Sequence, residues 1–375
     1  MVGGIDMKNK VVLSFTIFLL VFILSSCKND DTIKIGFSNN LTGANSELGI
    51  SAMYGAMYAV DEINASGGIN GRQLELIVKD DFGDPDKGVE VDNELIAEGC
   101  VAIIGHGTSR MAEKTVKNAN DNNFILISAT MSTNVIEGID DNFFRVIPSN
   151  SAQAVELAKF IHSHTPGETL VFAESGNTAF TTDLANTFLD YYSSIYALQT
   201  IDEFISFQST VEDDYDNAIS IINETTADNV LIIGSSYDVA KIYQKTTNED
   251  IKLYLPVWST THDIFSLGGN NINNSHGMNY FNTLNPEIIE FSNLFQLKYG
   301  DEASFSSMFT YEAMHILAKA IDNADSLTTN SIKTALLNLG GYRPLNDEIM
   351  FNEFGDIERK TYNYHLINHD FEEVN

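Results

Sequence analysis

Short apolar runs alternate with longer amphipathic stretches through the first two thirds of the chain. Eight runs have the length and composition of β-strands: "IKIGF" at 33, "LELIV" at 74, "VAIIG" at 101, "FILIS" at 124, "FFRVI" at 143, "TLVFA" at 169, "NVLIIG" at 229 and "KLYLPV" at 252. Helical periodicity lies between them, at residues 47–65, at residues 155–163 and near Ala240. This alternation is typical of parallel sheets covered by helices on both faces. We therefore expect an α/β fold with the strands divided between two sheets.

The length predicts more than one compact unit. Without its N-terminal segment the chain keeps about 350 residues, which exceeds one ordinary core. No Pro-rich or Ser/Gly-rich linker is present, so the chain is expected to cross between units near 148, in "RVIPSNSAQ", and near 280, in "GMNYFNTLNPE". We expect two Rossmann-like lobes, one from residues 32–147 and 282–357 and the other from residues 148–281 and 358–375. Lobes joined by several crossings move about a hinge.

The stretch "VAIIGHGTSRMAEKTV" places polar residues between a predicted strand and a helical pattern. Gly105 and Gly107 match two positions of a dinucleotide-binding fingerprint, but the third glycine position holds Arg110, which argues against a nucleotide cofactor. Tight turns, a hydroxyl and helix amides at a strand end suit a small polar or anionic group. The alternative is a plain turn in which Ser109 caps the following helix.

A second strand end repeats this chemistry in "FILISATMSTNVIE", where Thr130, Ser132 and Thr133 follow the apolar run. Carboxyl ends of neighbouring parallel strands meet at one edge of a sheet, so both hydroxyl-rich ends are expected to face one crevice. A simple helix N-cap remains the alternative, above all for Thr133.

Several other motifs point to structure rather than to chemistry. The acidic stretch "DDFGDPDKG" lacks the spacing of an EF-hand loop, and Asp84 followed by Pro85 fits a helix N-cap with proline at the first helical position. His162 and His164 lie two apart on a helical stretch and point in different directions, which argues against a metal site. We find no nucleophile elbow, phosphate-binding loop or zinc spacing in the sequence. No cofactor, no metal and no catalytic residues are expected.

Charge narrows the choice of partners. The formal net charge is −31, and removing residues 1–26, with two lysines and one aspartate, leaves −32. Such an acidic chain is repelled by nucleic acids and by anionic lipid surfaces. We expect no nucleic-acid partner.

The first 26 residues have the features of an export signal. Lys8 and Lys10 precede an apolar run at residues 11–24, followed by "LSSC". Small residues directly before Cys27 resemble a bacterial lipobox, in which the cysteine is lipidated and becomes the first mature residue. The alternative is an uncleaved anchor helix, but the run is shorter than the ~20 apolar residues that a span needs. Cys100 would then have no disulfide partner and is expected to be a small buried residue.

Several longer blocks, in order along the chain, resemble the class I periplasmic binding proteins of the branched-chain amino acid type, the solute receptors of ABC importers. The blocks are "IKIGFSNNLTG", "YGAMYAVDEINASGGINGRQLELIVKDDFGDP", "VAIIGHGTSR", "ILISATMST", "FFRVIPSNSAQ" and "MFNEFGDIER". The resemblance covers the whole mature chain. It implies two α/β lobes that close on a solute, and it implies that the two strand ends hold the solute's carboxylate.

Carried over by position, the resemblance assigns the carboxylate to Ser109 and Ser132 and assigns an ammonium group to the backbone carbonyl of Thr130. Phe180, in "NTAFTTD", and Tyr237, in "GSSYD", would be aromatic walls from the opposite lobe.

Two positions depart from the family pattern. Leu48 stands where an aromatic residue commonly covers the ligand, and Ser259, in "VWSTTHD", stands where amino-acid binders tend to place an acid for the ammonium group. This weakens the case for an ordinary α-amino acid. The acids that would replace it are Asp238, Asp263 or Glu174.

The resemblance implies an exported, lipid-anchored, monomeric binding protein that captures a small polar solute and delivers it to the membrane permease of an ABC importer. The alternative is a sensor of the same fold that reports its ligand to a membrane partner. An enzyme is the third class, and it would need a catalytic constellation that the sequence lacks.

Overall fold

The computed structural model describes residues 32–43, 46–196, 203–273, 275–345 and 347–374. The predicted signal segment and Cys27 lie outside the described residues. Within those ranges no helix is both long enough and apolar enough to cross a lipid bilayer.

The first lobe is built on a five-stranded parallel sheet. Its strands are β1 (Ile33–Asn39), β2 (Leu74–Asp80), β3 (Ala102–Gly105), β4 (Ile125–Ser128) and β5 (Phe143–Arg145), in the order β2-β1-β3-β4-β5. Three helices connect them: α1 (Ser46–Ala65), α2 (Pro85–Ala97) and α3 (Ala112–Asp121). Together with the helices that return to it later in the chain, this layer is called lobe 1 below.

The central strands of lobe 1, β3 and β4, are largely apolar because both faces of the sheet are covered there. In β3, Ala102 and Ile104 face the largest apolar core, whereas Ile103 faces a smaller core on the other side. All three side chains are at most 1% exposed. A strand buried on both faces has no polar alternation, which is why a continuous apolar run marks it.

The second lobe, called lobe 2 below, is built on a seven-stranded sheet. Its strands are β6 (Thr169–Glu174), β7 (Ile205–Phe207), β8 (Asn229–Ile233), β9 (Lys252–Leu255), β10 (Ser275–Asn279), β11 (Tyr362–Ile367) and β12 (Asp370–Val374), in the order β12-β11-β10-β9-β8-β6-β7. Its helices are α4 (Asn150–His164), α5 (Thr178–Tyr196), α6 (Glu212–Glu224), α7 (Ser236–Tyr243) and α8 (Asp263–Gly268). The pairs from β7 to β10 are parallel, whereas β11 pairs antiparallel with both of its neighbours.

After β10 the chain returns to lobe 1 and adds α9 (Pro286–Tyr299), α10 (Phe305–Asn323) and α11 (Thr329–Leu337). Helix α10 packs along α1 and against β3 and β4. The two helices approach closely at Gly55, where an added Cβ would lie 2.1 Å from the backbone oxygen of Ser307. Any larger residue at Gly55 would separate them.

All eight predicted strands occur in the structure, and the α/β fold is confirmed. The prediction missed β7, β10, β11 and β12. Helix α4 begins at Asn150, five residues before the predicted start, because the Ser149 hydroxyl accepts the backbone N–H of Ala152 and caps it. The predicted cap at Asp84 is confirmed, since its side chain accepts the N–H groups of Asp86 and Lys87 ahead of the helix that begins with Pro85.

Three stretches of chain connect the lobes: residues 146–149, residues 280–285 and the segment that precedes Tyr362. The first two agree with the crossings expected near 148 and 280. The exact lobe boundaries stay a prediction. The largest apolar core contains side chains from both sheets, so the lobes are packed together rather than linked by a free tether.

Candidate functional site

A cavity lies between the two lobes, at the carboxyl ends of β3, β4 and β9. It holds about 540 Å³ of empty space, including the part that opens to solvent. Both lobes and one crossing segment contribute to its wall: Leu48, Gly107, Thr108, Ser109, Thr130, Ser132, Ile147, Gln153, Asn177, Phe180, Val257, Trp258 and Phe305. Ligands of open α/β sheets bind in such a position, outside the carboxyl ends of the strands.

Two neighbouring strand ends form the floor of the cavity in lobe 1. Because β3 and β4 pair in parallel, the segments that follow them lie side by side. The Ser132 N–H donates to the Ser109 hydroxyl at 3.2 Å, and the Thr130 hydroxyl donates to the Gly107 carbonyl at 2.9 Å. The structure therefore brings Ser109, Thr130 and Ser132 together on one surface. Their contact with a solute stays a prediction.

Ser109 does not cap the following helix, which corrects that alternative. It opens a 3-10 turn, Ser109–Met111, and α3 begins only at Ala112. The physical reason is the cross-strand bond, because its hydroxyl oxygen already accepts the N–H of Ser132. Thr133 does act as a cap: it precedes the 3-10 turn Asn134–Ile136 and accepts the N–H of Val135 at 3.4 Å.

A buried histidine fixes the loop after β3. His106 Nδ1 lies 2.6 Å from Asp81 Oδ2, and Nε2 lies 3.2 Å from Asp92 Oδ2. Burial opposes a charge here, but the two carboxylates outweigh it and raise the pKa of His106 to about 10. The His106 carbonyl also accepts the Ser128 hydroxyl at 3.0 Å, which ties the loop to the end of β4. These contacts fix the backbone of the loop that forms part of the cavity floor.

Sequence reasoning missed His106 as a positioning residue. The available signal was a histidine between two glycines in a chain with acidic residues at the end of β2 and in α2. Its neighbour Gly107 lines the cavity, and a Cβ there would lie 2.3 Å from Asn39 Oδ1. Glycine at this position lets the loop approach β1.

Lobe 2 supplies an aromatic wall. Phe180, near the start of α5, meets Trp258 edge to face, with ring centroids 5.6 Å apart and planes at 77°. Trp258 follows β9 and was not predicted, although it is the only tryptophan of the chain and stands next to the predicted Ser259. Phe180 lies on the cavity wall as expected, and Leu48 lies on the wall of lobe 1.

Two predicted site residues lie outside the cavity lining. Tyr237 is 49% exposed, and its ring faces Lys241, whose Nζ is 6.0 Å from the ring centroid. Ser259 is fully buried, and its hydroxyl is directed at the Pro256 carbonyl at 3.4 Å. Neither residue lines this cavity, and the contact of each with a solute stays a prediction.

Four polar atoms of the cavity wall are buried without a hydrogen-bond partner among the described residues. They are Thr108 Oγ1, Ser132 Oγ, Gln153 Oε1 and Asn177 Oδ1. Buried polar groups are normally paired, because leaving one unpaired costs about 1–3 kcal/mol. Two hydroxyl donors and two amide acceptors in a largely apolar wall can orient one small polar molecule.

Asp183 holds the lobes together beside the cavity. Its Oδ2 accepts the Asn134 N–H at 2.8 Å and the Thr133 hydroxyl at 3.2 Å, and its Oδ1 accepts the Asn134 side-chain amide at 3.0 Å. Asp183 belongs to α5 of lobe 2, whereas Thr133 and Asn134 follow β4 of lobe 1. The cleft is therefore described in a closed arrangement.

The histidines at 162 and 164 point apart as expected. His162 stacks on Tyr196 with ring centroids 3.8 Å apart, and His164 packs edge-on against Phe160 at 4.7 Å. In the described part of the chain, no group of three or more His, Cys, Asp or Glu side chains has the geometry to hold a metal ion.

Cys100 is the free cysteine of the described ranges, and it is 6% exposed. Burial, with a smaller contribution from Glu98, raises the pKa of its thiol to about 11. It is a small residue of the lobe 1 core, as expected.

Comparison with known proteins agrees with this geometry. The family model described as "Periplasmic binding protein" matches residues 32–369. A Leu/Ile/Val-binding protein homolog 1 from Brucella melitensis biotype 1 is 23% identical over 337 residues, covering 88% of this chain and 89% of that protein.

Two solved structures have similar folds. The branched-chain amino acid transporter substrate-binding protein LivJ from Streptococcus pneumoniae, in complex with isoleucine, has a TM-score of 0.81 at 21% identity, covering 92% of this chain and 99% of that one. A solute-binding protein of an ABC transporter from R. palustris, in complex with benzoate, has a TM-score of 0.81 at 16% identity, covering 92% and 95%. Since the family model spans nearly all of the described residues, this chain belongs to the periplasmic binding protein family and is an extracytoplasmic solute-binding protein rather than an enzyme.

Proposed function

We propose that this protein captures a small solute with a carboxylate and an apolar body in the cleft between its lobes, and delivers it to the membrane permease of an ABC importer. The lobes are those expected from the sequence, residues 32–147 with 282–357 and residues 148–281 with 358–375. The protein acts as a monomer and modifies nothing in the solute.

The observation that carries the proposal is the combination of donors and apolar groups in one cavity between the lobes. The Ser132 hydroxyl is buried and unpartnered among the described residues, at the end of β4. Phe180 and Trp258 face it from the other lobe. A hydroxyl donor beside an aromatic wall suits a molecule with a small anionic end and an apolar body.

The named relatives support the same class of solute. One is named for leucine, isoleucine and valine, and the two solved structures hold isoleucine and benzoate. These ligands share a carboxylate joined to an apolar body. The cavity wall described here has the groups for both parts.

Thermal unfolding in the presence of single compounds tests the proposal. The compounds are amino acids, amides, short peptides and aromatic acids, and the protein is the mature chain. A true solute at about 100 times its Kd adds about 2.7 kcal/mol to the unfolding free energy, because it binds only the folded state. If no carboxylate of this panel raises the melting temperature of a cooperatively unfolding sample, the proposed function is wrong.

The proposal includes a lipid anchor at Cys27, supported by the charged, apolar and small-residue segments before it. Cleavage before Cys27 and acylation should place the protein in the membrane fraction of a bacterial host, whereas Cys27→Ser should stay unprocessed. More than one acyl chain is needed for stable anchoring. An intact mass that retains residues 1–26 and carries no lipid would contradict the anchor.

A further inference from the structure

Among the residues that the structure describes, the cavity wall carries no ionisable side chain: none of these lining residues is an Asp, Glu, His, Lys or Arg. An α-amino acid brings both a carboxylate and an ammonium group into such a site. The carboxylate can be held by hydroxyl and backbone donors. The ammonium group needs acceptors, and a buried cation is strongly disfavoured unless it is paired.

Two acids of lobe 2, Glu174 and Asp183, already accept hydrogen bonds from other donors. Glu174 Oε1 accepts the N–H of Gly176 at 2.6 Å, and Oε2 accepts the N–H of Asn177 at 3.2 Å. Asp183 accepts donors from the turn after β4, as described above. Neither carboxylate lines the cavity.

The other two acids that could pair with an ammonium group, Asp238 and Asp263, do not line the cavity either. Asp238 accepts the hydroxyls of Ser209 and Tyr215, both at 2.7 Å, and closes a capping box with Ser235 at the start of α7. Asp263 begins α8 and lines a separate cavity. The described wall therefore offers no carboxylate to an ammonium group.

The wall does offer an uncharged acceptor. Gln153 is fully buried, and its Nε2 donates to the Pro148 carbonyl at 3.3 Å. That bond fixes the amide orientation, because the flipped amide would place two oxygens against each other. Gln153 Oε1 is then left as a buried acceptor with no partner in the described part of the chain. Asn177 Oδ1 is likewise a buried acceptor without a partner there.

We propose that the preferred solute is a 2-hydroxy acid with an aromatic or branched aliphatic body, bound more tightly than the 2-amino acid of the same skeleton. This rests on the proposed function, because it names the substrate class of the same cleft. The carboxylate meets the Ser132 hydroxyl, the uncharged hydroxyl donates to Gln153 Oε1, and the body lies against Phe180 and Trp258. The carboxylate and the hydroxyl of the solute then each have a partner, and no cation is buried.

Calorimetric titration of the mature chain with matched acids tests this. One set is 3-phenyllactate, 3-phenylpropionate and phenylalanine, and the other is 2-hydroxy-4-methylpentanoate, 4-methylpentanoate and leucine. In at least one set the hydroxy acid should bind tenfold or more tightly than both of its relatives, because only it satisfies the acceptor without a charge. If in both sets an amino acid or a deoxy acid binds as tightly as the hydroxy acid, the proposal is overturned.

Gln153→Met removes the acceptor at similar length and provides a second readout. It should weaken the hydroxy acid about tenfold and leave the deoxy acid unchanged, so the deoxy acid is the internal control for an intact cleft. A hydroxy-acid preference that persists in a folded Gln153→Met variant contradicts the proposal. If that variant fails to fold, the titrations of the wild-type protein with the two sets of acids test the proposal by themselves.

The failure of this inference is distinct from failure of the proposed function. If an amino acid binds more tightly than the matching hydroxy acid, the cleft still binds a carboxylate solute, and only the proposed substrate class is wrong. If no member of either set binds, this proposal is overturned, and the broader thermal panel decides whether the cleft binds any carboxylate.

Discussion

His106 places a positive charge in the interior of lobe 1, between Asp81 and Asp92. All three side chains are at most 1% exposed, so their opposite charges compensate one another in place of solvent. The residue next to His106 is the first cavity-lining residue of the loop after β3. The charge network thus helps to position the loop that forms part of the cavity floor.

The raised pKa of His106 predicts how stability changes with pH. Its pKa in the unfolded chain is near 6.5, and in the folded chain it is about 10. The folded state holds the proton more tightly, so the stabilisation is complete below pH ~6.5 and is lost as pH rises towards 10. The unfolding free energy of wild type should therefore fall towards that of His106→Asn across this window, by up to about 1.4 kcal/mol per pH unit.

Denaturant unfolding at a series of pH values measures this difference. His369→Asn is the control, because His369 is exposed on the β11–β12 turn, and its stability should follow wild type at every pH. A constant gap between wild type and His106→Asn from pH 6 to pH 10 would show that the histidine is not held charged by its two carboxylates.

Single residues at the site were only partly predictable. Ser109, Thr130 and Ser132 could be predicted to lie on one surface because hydroxyls after neighbouring parallel strands share one sheet edge. Trp258 was missed because a one-residue shift after β9 decides which side chain faces the cleft. No pattern in the sequence encodes that shift, since it depends on how the turn after Leu255 packs.

At the level of elements, strands with continuous apolar runs were predictable, whereas strands with few apolar residues, such as β10 and β12, were not. Strands such as β4 and β8 are fully buried and read as continuous apolar runs. β10, with "SHGMN", contains few apolar residues and is a strand because β9 and β11 pair with it on either side. β12, with "DFEEV", is an exposed edge that only its antiparallel partner defines.

The position of α5 relative to lobe 1 likewise could not be predicted from the sequence. Asp183 is one of many acidic residues of this chain, and nothing local distinguishes it. Its role follows from the fold, which places the 3-10 turn Asn134–Ile136 opposite the second turn of α5. A charged acceptor facing backbone and side-chain donors stabilises the closed contact more than a neutral pair would.

At the scale of the whole molecule, Arg359 links the connections between the two lobes. Its Nε donates to the Val146 carbonyl at 2.8 Å, and its guanidinium lies over the rings of Phe281 and Phe309 at 5.5 and 4.7 Å. It also pairs with Glu312 of α10, and both side chains are at most 1% exposed. Val146, Phe281 and Arg359 belong to three different connections between the lobes. The connections between the lobes therefore form one packed unit.

The central claim is that one solute contacts both lobes in the cleft. Calorimetric titration of Ser132→Ala in lobe 1 and Trp258→Ala in lobe 2, with the solute that most raises the melting temperature, tests it directly. The matched control is Ser275→Ala, because Ser275 Oγ is also buried without a partner among the described residues but lies at the amino end of β10, outside the cavity lining.

Ser132→Ala should weaken binding by about one to two powers of ten, since a hydrogen bond to a charged group contributes roughly 1.5–3 kcal/mol and ~1.4 kcal/mol is a factor of ten. Trp258→Ala should weaken it at least tenfold through the lost aromatic wall, and Ser275→Ala should leave affinity unchanged. Wild-type affinity in both cleft variants, with cooperative unfolding retained, would contradict the account.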